Sequence, residues 1–394
     1  MSDLNPFIRV HSDLSKISAS AWNALIAESN PFGEYDFLRN LELSGSVGKN
    51  TGWDPQYFTY EKEGKLLGAI AFYLKNNSYG EFVFDFEWAR LYAHEGAAYY
   101  PKGVVAIPYT PANGERIFLH PEAGEEVRES LIVALLVFAE ERQLSSVHFL
   151  FLKKDECKIL KKQGFLKRTH YQFHWENKGY QSFHDYLKAL QHKHKNQILR
   201  ERRRVEALGF KIEILQGDNI KPEHLEAIWH LSARTFIQKS GDVPYLTESF
   251  FQKIAENFRQ NTVLVMAHNG QEWVAGSINF KKGKHLYGRY WGSLGNYPFL
   301  HFECCFYRLI EFAIENKIEL FEAGAQGEQK FFRGFATRPT YSMHWIRDPG
   351  FAGMIAHFLK EESKFVERLI ENYNTASPLK YLRGNQNKFP SQLY

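Results

Sequence analysis

One stretch of this chain occurs twice, and that repetition limits the architectures open to it more than any other feature. Gly164-Phe165-Leu166-Lys167-Arg168-Thr169-His170-Tyr171-Gln172-Phe173-His174-Trp175 aligns with Gly334-Phe335-Ala336-Thr337-Arg338-Pro339-Thr340-Tyr341-Ser342-Met343-His344-Trp345, with Gly, Phe, Arg, Tyr, His and Trp at matching places. A period of this size is too long for a solenoid unit and close to that of one domain. A tandem duplication follows, each copy ending in the same strand.

The elements upstream repeat as well. Val127, Leu131, Ala134, Leu135 and Phe138 lay out one helical stripe, and Phe302, Phe306, Leu309, Ile310 and Ala313 repeat its spacing. Each helix runs into a short apolar strand, 147–151 and 318–321. Earlier still come two hairpins: 57–61 with 66–74 about Gly64, and 262–268 with 273–280 about Asn269-Gly270, a strong turn dipeptide. Both second strands carry Gly-x-Ile, at Gly68-Ala69-Ile70 and Gly276-Ser277-Ile278. The pattern predicts an α/β (α+β) chain of two tandem domains, each a mixed, mostly antiparallel sheet flanked by helices. Their expected limits are 1–180 and 211–394, with a basic helical connector over 181–210. A helix over 358–373 and a polar tail close the chain.

Composition removes several classes. At 394 residues two cores can be buried, and a net charge of +4 is too small to make the whole surface a polyanion binder. Cys157, Cys304 and Cys305 form neither a disulfide framework nor a zinc spacing, so no metal is expected. There is no basic segment followed by an apolar run at the start, and no apolar stretch long enough to span a membrane. The expectation is a cytoplasmic protein.

Hairpin, further strand, helix, strand, Gly-Phe and a final strand is the element order of the GNAT acyltransferases. Two copies resemble the FemA/FemX-like tandem-GNAT transferases. Asn30-Pro31-Phe32, Gly52-Trp53, Gly80-Glu81-Phe82-Val83-Phe84-Asp85, Tyr99-Tyr100-Pro101-Lys102 and Pro108-Tyr109-Thr110-Pro111 resemble the FemAB-like family of N-acyltransferases. So do Gln172-Phe173-His174-Trp175, Tyr287-Gly288-Arg289-Tyr290-Trp291-Gly292 and Gly324-Ala325-Gln326-Gly327-Glu328. The resemblance implies an N-acyltransferase that moves an acyl group to an amine on a peptide-like or cell-wall-precursor acceptor. Acyl-CoA or aminoacyl-tRNA would be the co-substrate, with no tightly bound cofactor. The same motifs fit a non-catalytic tandem-GNAT protein that recognises peptidoglycan fragments or tRNA.

Acyl transfer to an amine needs donors at the developing oxyanion and an in-line donor, and no nucleophilic Ser or Cys. The densest candidate segment runs from Glu322 to Gly334, where a strand leaves the sheet. The Fem resemblance puts Glu322 in the place of an acid and Lys330 in that of a Lys. Glu328 is the preferred base, and Gln326 and Arg333 are candidate binding groups; a loop-tying role for Glu322 and Arg333 is the alternative. A second group is Arg289, Tyr290 and Trp291, with His301 and Glu303 at the start of the next helix, where capping and charge roles are the alternative for the last two. Between them, 292–298 lacks the Arg/Gln-x-x-Gly-x-Gly/Ala loop of acetyl-CoA-dependent GNAT enzymes, which argues against ordinary acetyl-CoA use. The first copy offers Asp85, Lys102, Tyr109 and Arg116 for an acceptor, with simple surface roles as the alternative. From Lys188 to Arg204 there are seven Lys/Arg and one acid, Glu201. Lys193, Lys195, Arg200 and Arg203 are candidate RNA contacts, with a solvated helix face as the alternative. The repeated histidines, His174 and His344, read as core or seam groups.

Overall fold

Both hairpins expected from the sequence are present, and the sheets are built outward from them. The computed structural model describes residues 5–28, 30–325 and 327–382. Its strands are β1 (Ile8–His11), β2 (Asp54–Lys62), β3 (Lys65–Lys75), β4 (Lys102–Val105), β5 (Phe118–Leu119), β6 (Ser146–Leu152) and β7 (Leu166–Glu176). They continue with β8 (Lys211–Gln216), β9 (Thr262–His268), β10 (Trp273–Lys282), β11 (His285–Ser293), β12 (Leu320–Glu322) and β13 (Ala336–Ile346). Two compact units result: residues 1–170 with 340–365, and residues 171–339 with 366–394.

In unit 1 the strand order is β1-β2-β3-β4-β6-β13, with β5 against β3. Only β4 and β6 pair in parallel. The helix Glu125–Glu141 buries Val127, Leu131, Ala134, Leu135 and Phe138, the stripe its spacing predicts. In unit 2 the order is β7-β12-β11-β10-β9-β8, and only β11 and β12 are parallel. Phe306, Leu309, Ile310 and Ala313 are buried on the corresponding helix. The repeated Gly-x-Ile has a packing cause: a Cβ on Gly68 would lie 2.8 Å from Val127, and one on Gly276 would lie 2.6 Å from the sulfur of Met266.

The echo itself is divided between the units. Residues 166–170 of β7 belong to unit 1, whereas 171–176 belong to unit 2, where His174, Trp175 and Glu176 pair with β12. Residues 336–339 of β13 belong to unit 2, whereas 341–346 pair with β6 in unit 1. Each closing strand thus ends in the unit that the other copy's helix and hairpin build. The stretch read as a connector lies in unit 2 and forms two helices, Phe183–Ala189 and His192–Glu206. The final helix is longer than expected, Pro349–Thr375. Among the described residues no helix is long and apolar enough to cross a membrane.

Candidate active site

The chemistry-bearing groups of unit 2 gather where two parallel strands part. β11 and β12 pair only from His285–Leu320 to Tyr287–Glu322. Beyond Tyr287, β11 runs on to Ser293 with β10 on one side and no described strand on the other. On the β10 side, the register shifts between Ile278 and Asn279. A bulge next to a splay re-aims side chains and leaves a hole in the sheet. That hole is a cavity of about 310 Å³ lined by Arg289, Tyr290, Trp291, His301 and Lys330, and also by Ser277, Asn279, Phe302 and Cys305.

One wall is a helix with a defect. Leu300–Phe302 is α-helical, Glu303–Tyr307 takes the wider π form, and Arg308–Glu315 returns to α. A π-bulge shifts which side chains face inward and is frequent at functional sites. Here His301, Phe302, Cys305 and Phe306 face the cavity. A second, more open cavity of about 520 Å³ is lined by Thr235, Gln238, Lys239, Ser293 and Asn296. Trp291 and His301 line both cavities, and their rings meet edge to face at 5.2 Å.

Lys330 is the buried cation of the inner cavity. The residue is 4 % exposed, and its ammonium donates to the Gly324 carbonyl at 2.8 Å. Desolvation pushes its pKa down to about 8, so it remains mostly charged at neutral pH. The turn that presents it passes through Gly327 at φ 106, a conformation for which glycine alone is suited. Arg289 is half-buried, with its guanidinium 5.2 Å over the Tyr290 ring; burial lowers its pKa. One edge of His301 is open to solvent, and desolvation, with Lys239, Lys330 and Arg333 nearby, pushes its imidazole toward the neutral form.

Other expected residues lie elsewhere. Glu322 is buried beneath the splay, with its carboxylate 3.8 Å from His174 Nε2. Burial holds His174 neutral, at about 3, and its Nε2 donates to Gln172 at 3.1 Å. Glu328 is exposed outside the cavity lining and accepts a hydrogen bond from Tyr373 at 3.1 Å. Gln326 lies outside the described residues. Glu303 is buried against Arg202 (2.9 Å) and Arg308 (3.0 Å). Arg333 is also buried, bridging both oxygens of Glu201 at 2.9 Å with Phe302 under its guanidinium at 3.4 Å. In both, the charge ties elements together.

In unit 1, Asp85 and Lys102 come together, in a buried polar network. Lys102 Nζ donates to Ser78 (2.8 Å), Glu81 (2.9 Å) and Asp85. Tyr99 donates to Asp85 at 2.6 Å, and His148 lies 3.9 Å from it. His148 Nδ1 meets His344 Nδ1 at 2.7 Å. Lys75 joins from the far side, 3.8 Å from Glu81 and 3.7 Å over the Trp53 ring. Burial pushes Glu81 up and Lys75 down, while Lys102 holds Asp85 ionised despite its desolvation. Arg116 is buried and donates to the carbonyls of Leu150 and Ala112, and Tyr109 donates to that of Ser46. Both are built into the framework.

Sequence reasoning missed Ser277, Asn279, Phe302 and Cys305; a polar pair inside the apolar strand 273–280 was the available signal. It also missed the exposed Glu226 and His230 and the half-buried Glu248, whose ligand atoms lie within 4.8 Å of one another, an arrangement common on surfaces without an ion.

A sequence profile of the FemAB-like family, described as peptidoglycan biosynthesis or recognition, matches residues 13–381. The chain belongs to the FemAB-like family. No curated protein matches its sequence. Among solved structures, FemX is similar at 11% identity and a TM-score of 0.54, over 86% of this chain and 98% of FemX. The C-terminal domain of an Agrobacterium fabrum protein named as a lysylphosphatidylglycerol synthetase is similar at 9% identity and a TM-score of 0.52, over 87% of this chain and 95% of that one. At such identities the likeness establishes fold. This FemAB-like chain has the tandem GNAT-like architecture, each half a mostly antiparallel sheet flanked by helices.

Proposed function

We propose that this FemAB-like protein is an N-acyltransferase whose reacting centre is the unit 2 cavity at the β11–β12 splay. The observation that carries the reading is the pair of cavities meeting at Trp291 and His301. A transferase needs one entrance for the donor and another for the acceptor; a recognition module manages with one. The acceptor is an amine on a peptidoglycan-precursor-type molecule, in keeping with the family's description. The donor is an aminoacyl ester on tRNA or an acyl thioester of CoA.

In this reading the acyl carbonyl lies against Lys330. The acceptor nitrogen attacks the carbonyl carbon, a C–N bond forms, and negative charge builds on oxygen. A buried ammonium there stabilises the oxyanion by about 3–4 kcal/mol, on the scale of one oxyanion-hole donor. The nitrogen then loses a proton, the C–O or C–S bond breaks, and the leaving oxygen or sulfur takes up a proton. An α-amino group with a pKa of about 8 is partly neutral at pH 7, so a strong base is unnecessary. His301, neutral and facing both cavities, is placed to accept the hydrogen bond of the incoming amine. Arg289 holds an anionic group of the donor or acceptor.

The test supplies charged tRNA and acyl-CoA pools in parallel and follows acyl transfer to amine acceptors by mass spectrometry. Transfer that falls at least 100-fold in Lys330→Met supports the reading. Full activity in both Lys330→Met and Arg289→Gln overturns it.

A further inference from the structure

Unit 1 carries more exposed apolar surface than its fold uses. Among the described residues eleven large hydrophobic side chains are exposed, and six of them belong to two segments of unit 1. Tyr79, Phe84 and Phe86 stand in or beside the loop that joins β3 to the helix Phe86–His94. The Phe84 and Phe86 rings stack at 5.9 Å, and Tyr79 lies 6.1 Å from Phe86. Met354, Phe358 and Phe365 lie on the helix Pro349–Thr375. Their spacing of i, i+4 and i+11 puts them in one stripe. The same helix already buries Ile355 and Leu359 against Trp88, Tyr92 and Tyr99. One apolar face is enough to dock a helix on its domain, so the second stripe is left for another partner.

The two segments are tied together. The Arg168 guanidinium donates to both oxygens of Glu362 at 2.6 and 2.7 Å and to the Phe84 carbonyl at 2.8 Å, with the Trp88 ring 5.3 Å away. Glu362 borders the stripe, four residues after Phe358 and three before Phe365. Lys75 donates to the Tyr79 carbonyl at 3.1 Å, and Lys102 holds Glu81 and Asp85, so buried charges fix the aromatic loop from beneath. With five rings and a methionine each about half exposed, the apolar area is on the order of 600 Å². That is the upper end of what monomeric proteins expose, and it approaches the ~800 Å² that each partner gives to a standard interface.

We infer that this face of unit 1 binds a second copy of the chain, through an antiparallel pairing of the helices Pro349–Thr375 across a two-fold axis. The charges on the helix select that occupant. Glu361 and Lys364 ion-pair at 2.8 Å in the interval between Phe358 and Phe365. A two-fold axis passing near Glu361 and Glu362 brings Phe358 of one copy to Phe365 of the other, and Glu361 to the opposing Lys364. The interface is then self-complementary, as an isologous contact requires. An anionic bilayer would instead call for an excess of cations around the apolar stripe. Here the cations beside the patch are matched by acids: Arg90 by Glu87, Arg168 by Glu362 and Lys364 by Glu361. This association is independent of the transferase reading.

The test is sedimentation velocity of the full chain from about 1 to 100 µM, a range that brackets a micromolar dimer of this interface area. The weight-average mass should rise with concentration from 46.0 kDa toward twice that value. Phe358→Ser/Phe365→Ser should raise the dissociation constant at least about tenfold with an unchanged melting temperature, since both side chains are exposed. Leu43→Ser/Val133→Ser removes exposed apolar groups elsewhere in unit 1 and should leave the dimer intact. Glu361→Lys sets like charges against each other across the axis and should weaken the dimer, and Glu361→Lys/Lys364→Glu should restore it. A mass of 46.0 kDa at every concentration overturns the inference. Equal loss in both serine pairs, or a charge reversal that fails to rescue, overturns it too. So does a chain that stays monomeric and binds phosphatidylglycerol vesicles through Phe358 and Phe365.

Discussion

Replacing Arg333 by Met separates a structural from a ligand-binding role for the residue the sequence placed in the site. The guanidinium donates to both Glu201 oxygens at 2.9 Å, to Tyr307 Oη at 2.8 Å and to the Gln329 carbonyl at 2.8 Å. Its side chain is 1% exposed and that of Glu201 is 3%. Truncating the cation leaves a carboxylate buried with only the Tyr307 hydroxyl and the Gln197 amide to stabilise it. Breaking a buried pair from one side costs about 3–5 kcal/mol. For a unit of this size that is a fall in melting temperature of about 6–20 °C. Converting both partners, in Glu201→Leu/Arg333→Met, removes the orphaned charge and should recover most of the loss, because apolar replacements of buried pairs are near neutral. Differential scanning calorimetry of the parent, both single variants and the double variant gives the coupling. A single variant within about 1 °C of the parent, or a double variant no better than the singles, refutes the structural assignment. Undiminished stability with lost donor affinity would return Arg333 to the binding site.

Lys330→Met should keep or raise the melting temperature while turnover falls at least 100-fold; a group that is costly to bury and useful in the reaction gives that combination, and a scaffold lysine does not. The sign of its pH dependence follows from the depressed pKa, about 8 folded against an ordinary 10.5. Between those values the unfolded chain binds more protons, so Lys330 makes stability rise with pH across that window, a slope Lys330→Met should abolish in urea titrations. Activity should fall on an alkaline limb near pH 8 as the ammonium is lost, and Lys330→Arg should move that limb upward; an unmoved limb assigns it to another group. In unit 1, Lys102→Met strands Glu81 and Asp85 and should cost at least about 3 kcal/mol in denaturant unfolding. A near-silent Lys102→Met would mean that the network is not held by its charges.

The repeat was legible because duplication preserves what a fold needs: the helix stripes, the hairpins, and the glycines on which helices pack. Side-chain periodicity records which face is buried, and every stripe residue of both helices except the half-buried Phe302 is buried. Periodicity does not record which partner a strand will take, so the passage of β7 and β13 from one unit to the other left no mark in the pattern. Buried charge is hard to read for a related reason. Glu303 and Arg333 look like site residues because they stand beside glycines and aromatic residues, but their partners Arg202 and Glu201 lie more than a hundred positions away. The repeated histidine shows how far comparison of the copies can go. Opposite His174 in unit 2 stands Glu322, and opposite His344 in unit 1 stands His148. The shared residue is scaffold in both units, and the difference lies across the strand. Unshared residues are not thereby catalytic: Lys75, Glu81, Asp85 and Lys102 are as peculiar to one copy as Lys330 is to the other, yet they mostly satisfy one another in the interior. What sets Lys330 apart is that its charge is buried at the wall of a cavity, where the strands beside it have already parted.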